Sequence, residues 1–298
     1  QVSGYLWMIN NPLRMAGWLA NDFQRFVTSV ERIYYTINKD PDVSDPEEPM
    51  KVDRIKGDIK FSHVYYNSED DVILKNINFH VKPGQTVGII GATGSGKSTL
   101  MNLLCRFYDV SSGEITVDGI NVKDYELYSL RGNIGMAMQD VFLFSDTIEG
   151  NIAYGKPNCS FEEVERAAKL ANADEFIRQM PEGYDTIVGE RGVGLSGGQK
   201  QRISLARAIL KDPAIIILDD TTSAVDMETE SQIQEALHSI QNRHTVFYIA
   251  HRISSIKDAD QILVIDEGTI REAGTHDELI AKKGYYYTVF HHQYGDCL

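Results

Sequence analysis

Residues 91–98 read Gly-Ala-Thr-Gly-Ser-Gly-Lys-Ser, a match to G-x-x-x-x-G-K-[ST]. Glycines at this spacing let the backbone curl until successive N–H groups point inward, which suits phosphate oxygens. Lys97 adds a positive charge for the β- and γ-phosphates, and Ser98 adds a hydroxyl able to ligate Mg²⁺. A helix opening at this point contributes the positive end of its dipole. A plain Gly-Ser turn would not need the flanking order seen here. The apolar run Thr86–Ile90 precedes the glycines, and Leu100, Leu103, Leu104 and Phe107 follow on one helical face. The chemistry implied is nucleotide binding.

Two further stretches bear on the same chemistry. Asp219 ends the apolar run Ala214–Leu218. A carboxylate at the carboxyl end of such a strand can hold Mg²⁺ through water. Alone it would read as a turn residue, but the cradle upstream reverses that reading. The second stretch, Leu195-Ser-Gly-Gly-Gln-Lys-Gln-Arg202, precedes a helical run. Ser196 with Gly197 and Gly198 at a helix start forms another anion site. Two phosphate-binding elements in one chain are odd unless the second serves a neighbour.

The chain that must position these residues has 298 of them, 42% apolar, with a formal net charge of −14. That length allows one large domain, or one domain with an appendage. The acidic balance lacks the basic footprint of a nucleic-acid binder. Cys105, Cys159 and Cys297 are scattered and form neither a disulfide framework nor a CxxC metal site, which favours a reducing compartment. No apolar run reaches the roughly 18 residues of a membrane span. A start at Gln1 rather than Met points to a piece of a longer chain.

Residues 5–38 read as one long helix. Leu6, Ile9, Leu13, Ala16, Ala20, Phe23, Val27, Val30, Tyr34 and Ile37 fall on a single stripe. Pro12 interrupts its early part, and Asn11 can cap a new start there. The helix reads as one packed on its own domain or in a coiled coil, or as the cytoplasmic end of a longer membrane helix. An acidic, proline-bearing linker follows. Beyond it, short β-rich runs alternate with helical stretches, which implies an α/β core with a mainly parallel central sheet. The expected division is 1–48 for helix and linker and 49–298 for the globular domain, with a helical insertion at about 141–209.

With these elements in order, the chain resembles the nucleotide-binding domain of ABC transporters of the exporter type, over roughly residues 57–290. Gly91 to Thr99 resembles the Walker A loop, which implies nucleotide contacts from Gly91, Thr93, Gly94, Ser95, Gly96, Lys97, Ser98 and Thr99. Ile215 to Asp219 resembles Walker B, and Gln139 the Q-loop. Gly189 to Gly192 is similar to the exporter loop that precedes the signature. Leu195, Ser196, Gly197, Gly198 and Gln199 resemble the signature itself. Ser223 to Asp226 is similar to the D-loop, His251 to the switch histidine, and Gly274 to Leu279 to a typical exporter stretch.

The resemblance implies a P-loop NTPase fold with an added antiparallel β subdomain and a helical subdomain. It implies ATP and Mg²⁺ as ligands, the metal held by Ser98, Gln139 and Asp219. Two such domains would close head to tail, with ATP between one Walker A loop and the other signature and D-loop, Asp226 included. Gln139 would sense the γ-phosphate, and His251 would hold it with the attacking water. An adenine-stacking aromatic is expected near residue 66. Counting back from Val72-Ile-Leu-Lys75 gives Tyr66, whereas counting forward from Val64 gives Ser68. The amino-terminal helix resembles the segment joining an exporter's last membrane helix to its ATPase domain. That implies a membrane domain as partner, and a place on the cytoplasmic face of the cell membrane.

One residue departs from the pattern. Family members that hydrolyse ATP rapidly carry Glu after the Walker B Asp, whereas this chain has Asp220. Its carboxylate sits one bond, about 1.5 Å, further back. A general base must reach its water, and about 1 Å of misplacement costs on the order of 100-fold. The expectation is a slow site of its own and an intact signature that completes a site on a different, Glu-bearing subunit. The alternatives are a homodimer in which Asp220 serves, a regulatory ATP-binding subunit with negligible turnover, and a soluble ABC-type ATPase. His291-His292 and the tyrosine run 285–287 read as a solvated face and as packing of the last helix.

Overall fold

The computed structural model describes residues 2–68, 71–138, 140–219 and 243–295. The roles expected of Gln139, Asp220 and Asp226 fall outside these residues. The chain forms two compact units, Gln1–Ser44 and Asp45–Leu298.

The first unit is a single helix, α1 (Val2–Ile37). It runs on through Pro12, where a restart is expected from the sequence. Proline removes one backbone donor from the ladder, and the turns on either side carry the helix past it. Met8, Trp18, Phe23 and Phe26 along it are exposed. Among the described residues no helix is long and apolar enough to cross a membrane.

Among the described residues the second unit contains twelve strands. β1 (Ile59–Ser68), β2 (Asp71–Val81), β4 (Ser112–Val117) and β5 (Ile120–Asn121) form an antiparallel sheet in the order β2-β1-β4-β5. The β4–β5 turn is Asp118-Gly119, with φ of +51° and +80°. Two positive φ values are what a type I′ hairpin needs, and Asp-Gly adopts them at low cost.

The central sheet contains β3 (Thr86–Gly91), β6 (Ile134–Ala137), β9 (Ile215–Asp219), β10 (Thr245–Ile249), β11 (Gln261–Asp266) and β12 (Thr269–Gly274). Its order is β12-β11-β3-β10-β9-β6. All neighbours run parallel except β12, which pairs antiparallel with β11 at one edge. A short pairing of β7 (Asp146–Thr147) with β8 (Ile187–Val188) stands apart.

β9 and β10 are buried at every position, as strands covered on both faces must be. The period of two sends alternate side chains to opposite faces. Ile216, Leu218, Val246 and Tyr248 therefore join one core, while Ile215, Ile217, Phe247 and Ile249 join another. The first core is shared with helices α4 (Ile148–Ala153), α5 (Phe161–Leu170), α6 (Asp174–Arg178) and α7 (Gly197–Leu210). The second is shared with the antiparallel sheet and with helices α2 (Lys97–Leu104) and α3 (Leu127–Gly132). Two carboxy-terminal helices, His276–Lys282 and Tyr285–Tyr294, pack against each other.

Candidate nucleotide-binding site

β3 delivers the chain to the glycine loop, and α2 carries it away. β3 is buried along its length up to Gly91 and is clamped between β10 and β11. The loop thus springs from the middle of a rigid sheet. Gly94 (φ +80°) and Gly96 (φ +100°) take left-handed conformations that side chains disfavour. Gly91 is needed for a different reason, since a Cβ there would lie 2.1 Å from Ile265 O on β11. No side chain caps α2. Its first N–H groups, with the positive end of the dipole, stay directed at the loop. Ser95 Oγ within the loop is buried without a hydrogen-bond partner among the described residues.

Lys97 is only 6% exposed. Its ammonium donates to Gly91 O at 2.9 Å and to Ala92 O at 2.8 Å. The charge thus lies over the loop, on the loop's own carbonyls. Ser98 Oγ donates to Asp219 Oδ2 at 2.9 Å, although the two residues are 121 positions apart. The parallel registers explain the meeting. β10 aligns Ile249 with Ile89 on β3 and with Asp219 on β9, so the carboxyl ends of β3 and β9 share one edge. That edge, outside the strand ends of an open α/β sheet, is where such folds bind ligands.

A cleft of about 620 Å³ opens there, lined by Thr93, Gly94, Gly96, Lys97, Ser98, Thr99, Asp219 and His251. Glycine backbone, the Lys97 ammonium, the hydroxyl residues Thr93, Ser98 and Thr99, the Asp219 carboxylate and the His251 imidazole therefore line one cleft. Ser98 and Asp219 are hard oxygen donors of the kind Mg²⁺ takes. Among the described residues no cluster of three His, Cys, Asp or Glu could hold a metal.

The sequence profile of the family described as ABC transporter matches residues 74–223. The chain belongs to the ABC transporter family. It carries that family's ATP-binding domain. It is 48% identical over 287 residues to the uncharacterized ABC transporter ATP-binding protein YknU of Bacillus subtilis (strain 168), covering 96% of this chain and 49% of that protein. It is 42% identical over 289 residues to an ATP-dependent lipid A-core flippase of Syntrophus aciditrophicus (strain SB), covering 97% and 48%. The fold is similar to that of a bacterial Atm1-family ABC exporter with ATP bound. The TM-score there is 0.88 at 38% identity, over 97% of this chain and 51% of that one. The chain thus spans about half the length of the curated relatives it matches.

None of the signature residues Leu195 to Gln199 lines this ABC-family cleft. Ser196 caps α7. Its Oγ accepts from Gln199 N at 3.3 Å, while Gln199 Oε1 accepts from Ser196 N at 2.9 Å. Ser196 and Gly197 are exposed. Tyr66 also stays out of the cleft lining. Its ring packs against the second core and lies 5.7 Å from that of Tyr108, and burial pushes its phenol pKa up.

Sequence reasoning missed Val72, Ile73, Lys75, Glu267 and Gly268, which also line the cleft. Lys75 N donates to Gly268 O at 2.8 Å, tying β2 to the β11–β12 turn. The turn was legible in Asp266-Glu-Gly268. Its packing onto β2 was not, because it joins residues about 190 positions apart.

Proposed function

We propose that this chain binds Mg-ATP in the cleft at the ends of β3 and β9, and that paired with a second nucleotide-binding domain it powers export by a membrane domain. The observation that carries this reading is the Ser98–Asp219 hydrogen bond. It sets a hydroxyl and a carboxylate beside the glycine cradle, with Lys97 and His251 on the same walls. The loop amides and the start of α2 would hold the phosphates. Lys97 would leave the Gly91 and Ala92 carbonyls for the β- and γ-oxygens. Ser98 and Asp219, with Gln139, would hold Mg²⁺, which supplies charge neutralisation on those oxygens. His251 would hold the γ-phosphate and orient the attacking water.

The exposed signature, absent from the lining of its own cleft, supports closure by a neighbour. In that arrangement Ser196 and the α7 N-terminus would meet the γ-phosphate bound by the partner, with Asp226 nearby. The partner we favour is a different subunit with Glu after its Walker B Asp, because Asp220 makes this chain's own site slow. The membrane domain would place this domain on the cytoplasmic face. The names of the relatives, a lipid A-core flippase and an Atm1-family exporter, support export without choosing a cargo. A second reading, a regulatory ATP-binding subunit with negligible turnover, is favoured by Asp220 alone.

Equilibrium titration with Mg-ATP tests the site. Saturable binding by the parent, and a loss of at least tenfold in Lys97→Ala, is the expected result. No saturable binding below about 1 mM, the upper end of usual enzyme KM values, would sink the reading.

A further inference from the structure

His251 sits on a short connection between two well-anchored points. Before it, Ala250 N donates to Ile89 O on β3 at 3.1 Å. After it, Ile253 is buried at 1% exposure. Between these points the backbone is gripped from outside the cleft. Gln293 Nε2 donates to His251 O at 2.8 Å, and Ile253 N donates to Gln293 Oε1 at 2.9 Å. One amide side chain thus pairs with a carbonyl and an N–H two residues apart, as a neighbouring strand would.

The fit is specific to glutamine. A carboxamide offers an acceptor and a donor on adjacent atoms, and only one of its two orientations satisfies both backbone groups. Glutamate has the same shape and length but, ionised, has no donor for His251 O. Leucine has neither group.

The platform that carries Gln293 is itself fixed. The helix Tyr285–Tyr294 starts on the Glu272 carboxylate, which accepts from Tyr285 N and Tyr286 N. Tyr286 is fully buried and its hydroxyl meets His276 Nδ1 at 2.8 Å. Val289, Phe290 and Tyr294 pack against the core. Gln293 therefore reaches the loop from a helix anchored along its length.

We propose that Gln293 is a positioning residue for His251, and that the carboxy-terminal helix sets the His251 loop relative to the phosphate cradle. The inference rests on the reading of the cleft as a Mg-ATP site. It gives the end of the chain a handle on the nucleotide site. Whatever moves the helix would move the histidine.

The test uses the whole chain and three variants: Gln293→Leu, Gln293→Glu and, as a control, His292→Ala. His292 is exposed on the same turn and takes no part in the grip. Hydrogen exchange reads the Ile253 amide directly, and steady-state hydrolysis is followed with the domains paired and Asp220→Glu present throughout, where turnover is fast enough to separate kcat from KM. Losing one hydrogen bond worth about 1 kcal/mol raises exchange roughly fivefold. Gln293→Leu should show that rise and a kcat lower by about five- to tenfold, with KM within twofold. Gln293→Glu should fall between Gln293→Leu and the parent, and His292→Ala should match the parent. Parental exchange and parental kcat in Gln293→Leu would overturn the inference, and so would an equal loss in His292→Ala. If the parent fails to bind Mg-ATP, the nucleotide reading falls instead. The exchange result would then still report whether the grip exists.

Discussion

Gly91→Ala tests whether the glycine loop depends on strand packing rather than on chain flexibility. Gly91 does not need a positive φ, and the pressure on it is steric. An added Cβ would lie 2.1 Å from Ile265 O and 2.8 Å from Ser95 Oγ, where ordinary contact begins at 3.4 Å. The shortfall against the carbonyl, 3.4 Å less 2.1 Å, is about 1.3 Å. Ile265 is the register partner of Gly91 in the parallel β3–β11 pair, so the obstacle is backbone and cannot rotate away. The strand ends must separate, and overpacking of this kind costs about 1–3 kcal/mol. For a domain of this size that lowers Tm by roughly 2–12 °C. The separation falls where the loop begins. It draws phosphate-binding amides out of reach, and one lost charge-assisted hydrogen bond of about 1.5–3 kcal/mol weakens ATP binding by at least about tenfold. Gly94→Ala is the comparison. Its Cβ would meet nothing within 4 Å, but its φ is +80°. It should suffer only the strain of a left-handed alanine, about 1–2 kcal/mol. Calorimetry and nucleotide titration on both variants decide the matter. If Gly91→Ala binds Mg-ATP within threefold of the parent, or is no worse than Gly94→Ala in both assays, the steric argument is wrong.

Asp220→Glu extends the carboxylate by about 1.5 Å and should raise Mg-ATP hydrolysis at least tenfold where the domains can pair; equal, brisk rates in parent and variant would make Asp220 an adequate base. Tyr66→Ala should lower stability by about 2 kcal/mol, as for a half-buried ring; a tenfold loss of Mg-ATP affinity in the folded variant would assign the ring to the adenine, and a change of less than threefold would assign it to packing alone. Cys105 is buried, which pushes its thiol up to about 12 despite Arg131 and Lys211 nearby. At pH 8 a thiol-alkylating reagent should leave it unmodified in the folded chain and label half-buried Cys159, as peptide mass spectrometry would show. Labelling of both at one rate would contradict the packing around Cys105.

What the sequence showed was set by local rules. The glycine spacing, the apolar run before it and the amphipathic turns after it are short-range signals, and β3, the loop and α2 follow them within a residue. β9, β10 and β11 were legible as unbroken apolar runs because strands covered on both faces have no polar alternation. β6 was not. It has four residues, Ile134–Ala137, includes a glycine, and is a strand only because β9 lies beside it. The β4–β5 hairpin could have been found from Asp118-Gly119. The meeting of Ser98 with Asp219 followed from motif order, but its geometry depends on sheet register, which no local pattern encodes. The Gln293 grip was invisible for the same reason. A glutamine on a solvated turn looks like any other until the fold brings a backbone to it.

Ser196 shows how one hydroxyl can serve two masters, and how the two can be separated. As the cap of α7 it accepts from Gln199 N. A hydroxyl that accepts can still donate its own hydrogen, and Ser196 is exposed where a partner's phosphate would arrive. Ser196→Ala removes both functions, so a loss there proves little. It should cost about 1 kcal/mol of stability through the cap alone. Ser196→Asp separates them. Aspartate is as good a cap as serine and favours the positive end of the helix, so Tm should hold or rise slightly. A carboxylate cannot donate, however, and it sets a negative charge against a phosphate. ATP-dependent pairing with a second nucleotide-binding domain, followed by sedimentation, should then fall at least tenfold in Ser196→Asp while binding of Mg-ATP to this chain's own cleft stays at the parental level. Should Ser196→Asp pair as well as the parent, the hydroxyl is a helix cap and nothing more, and the signature must act through its backbone alone.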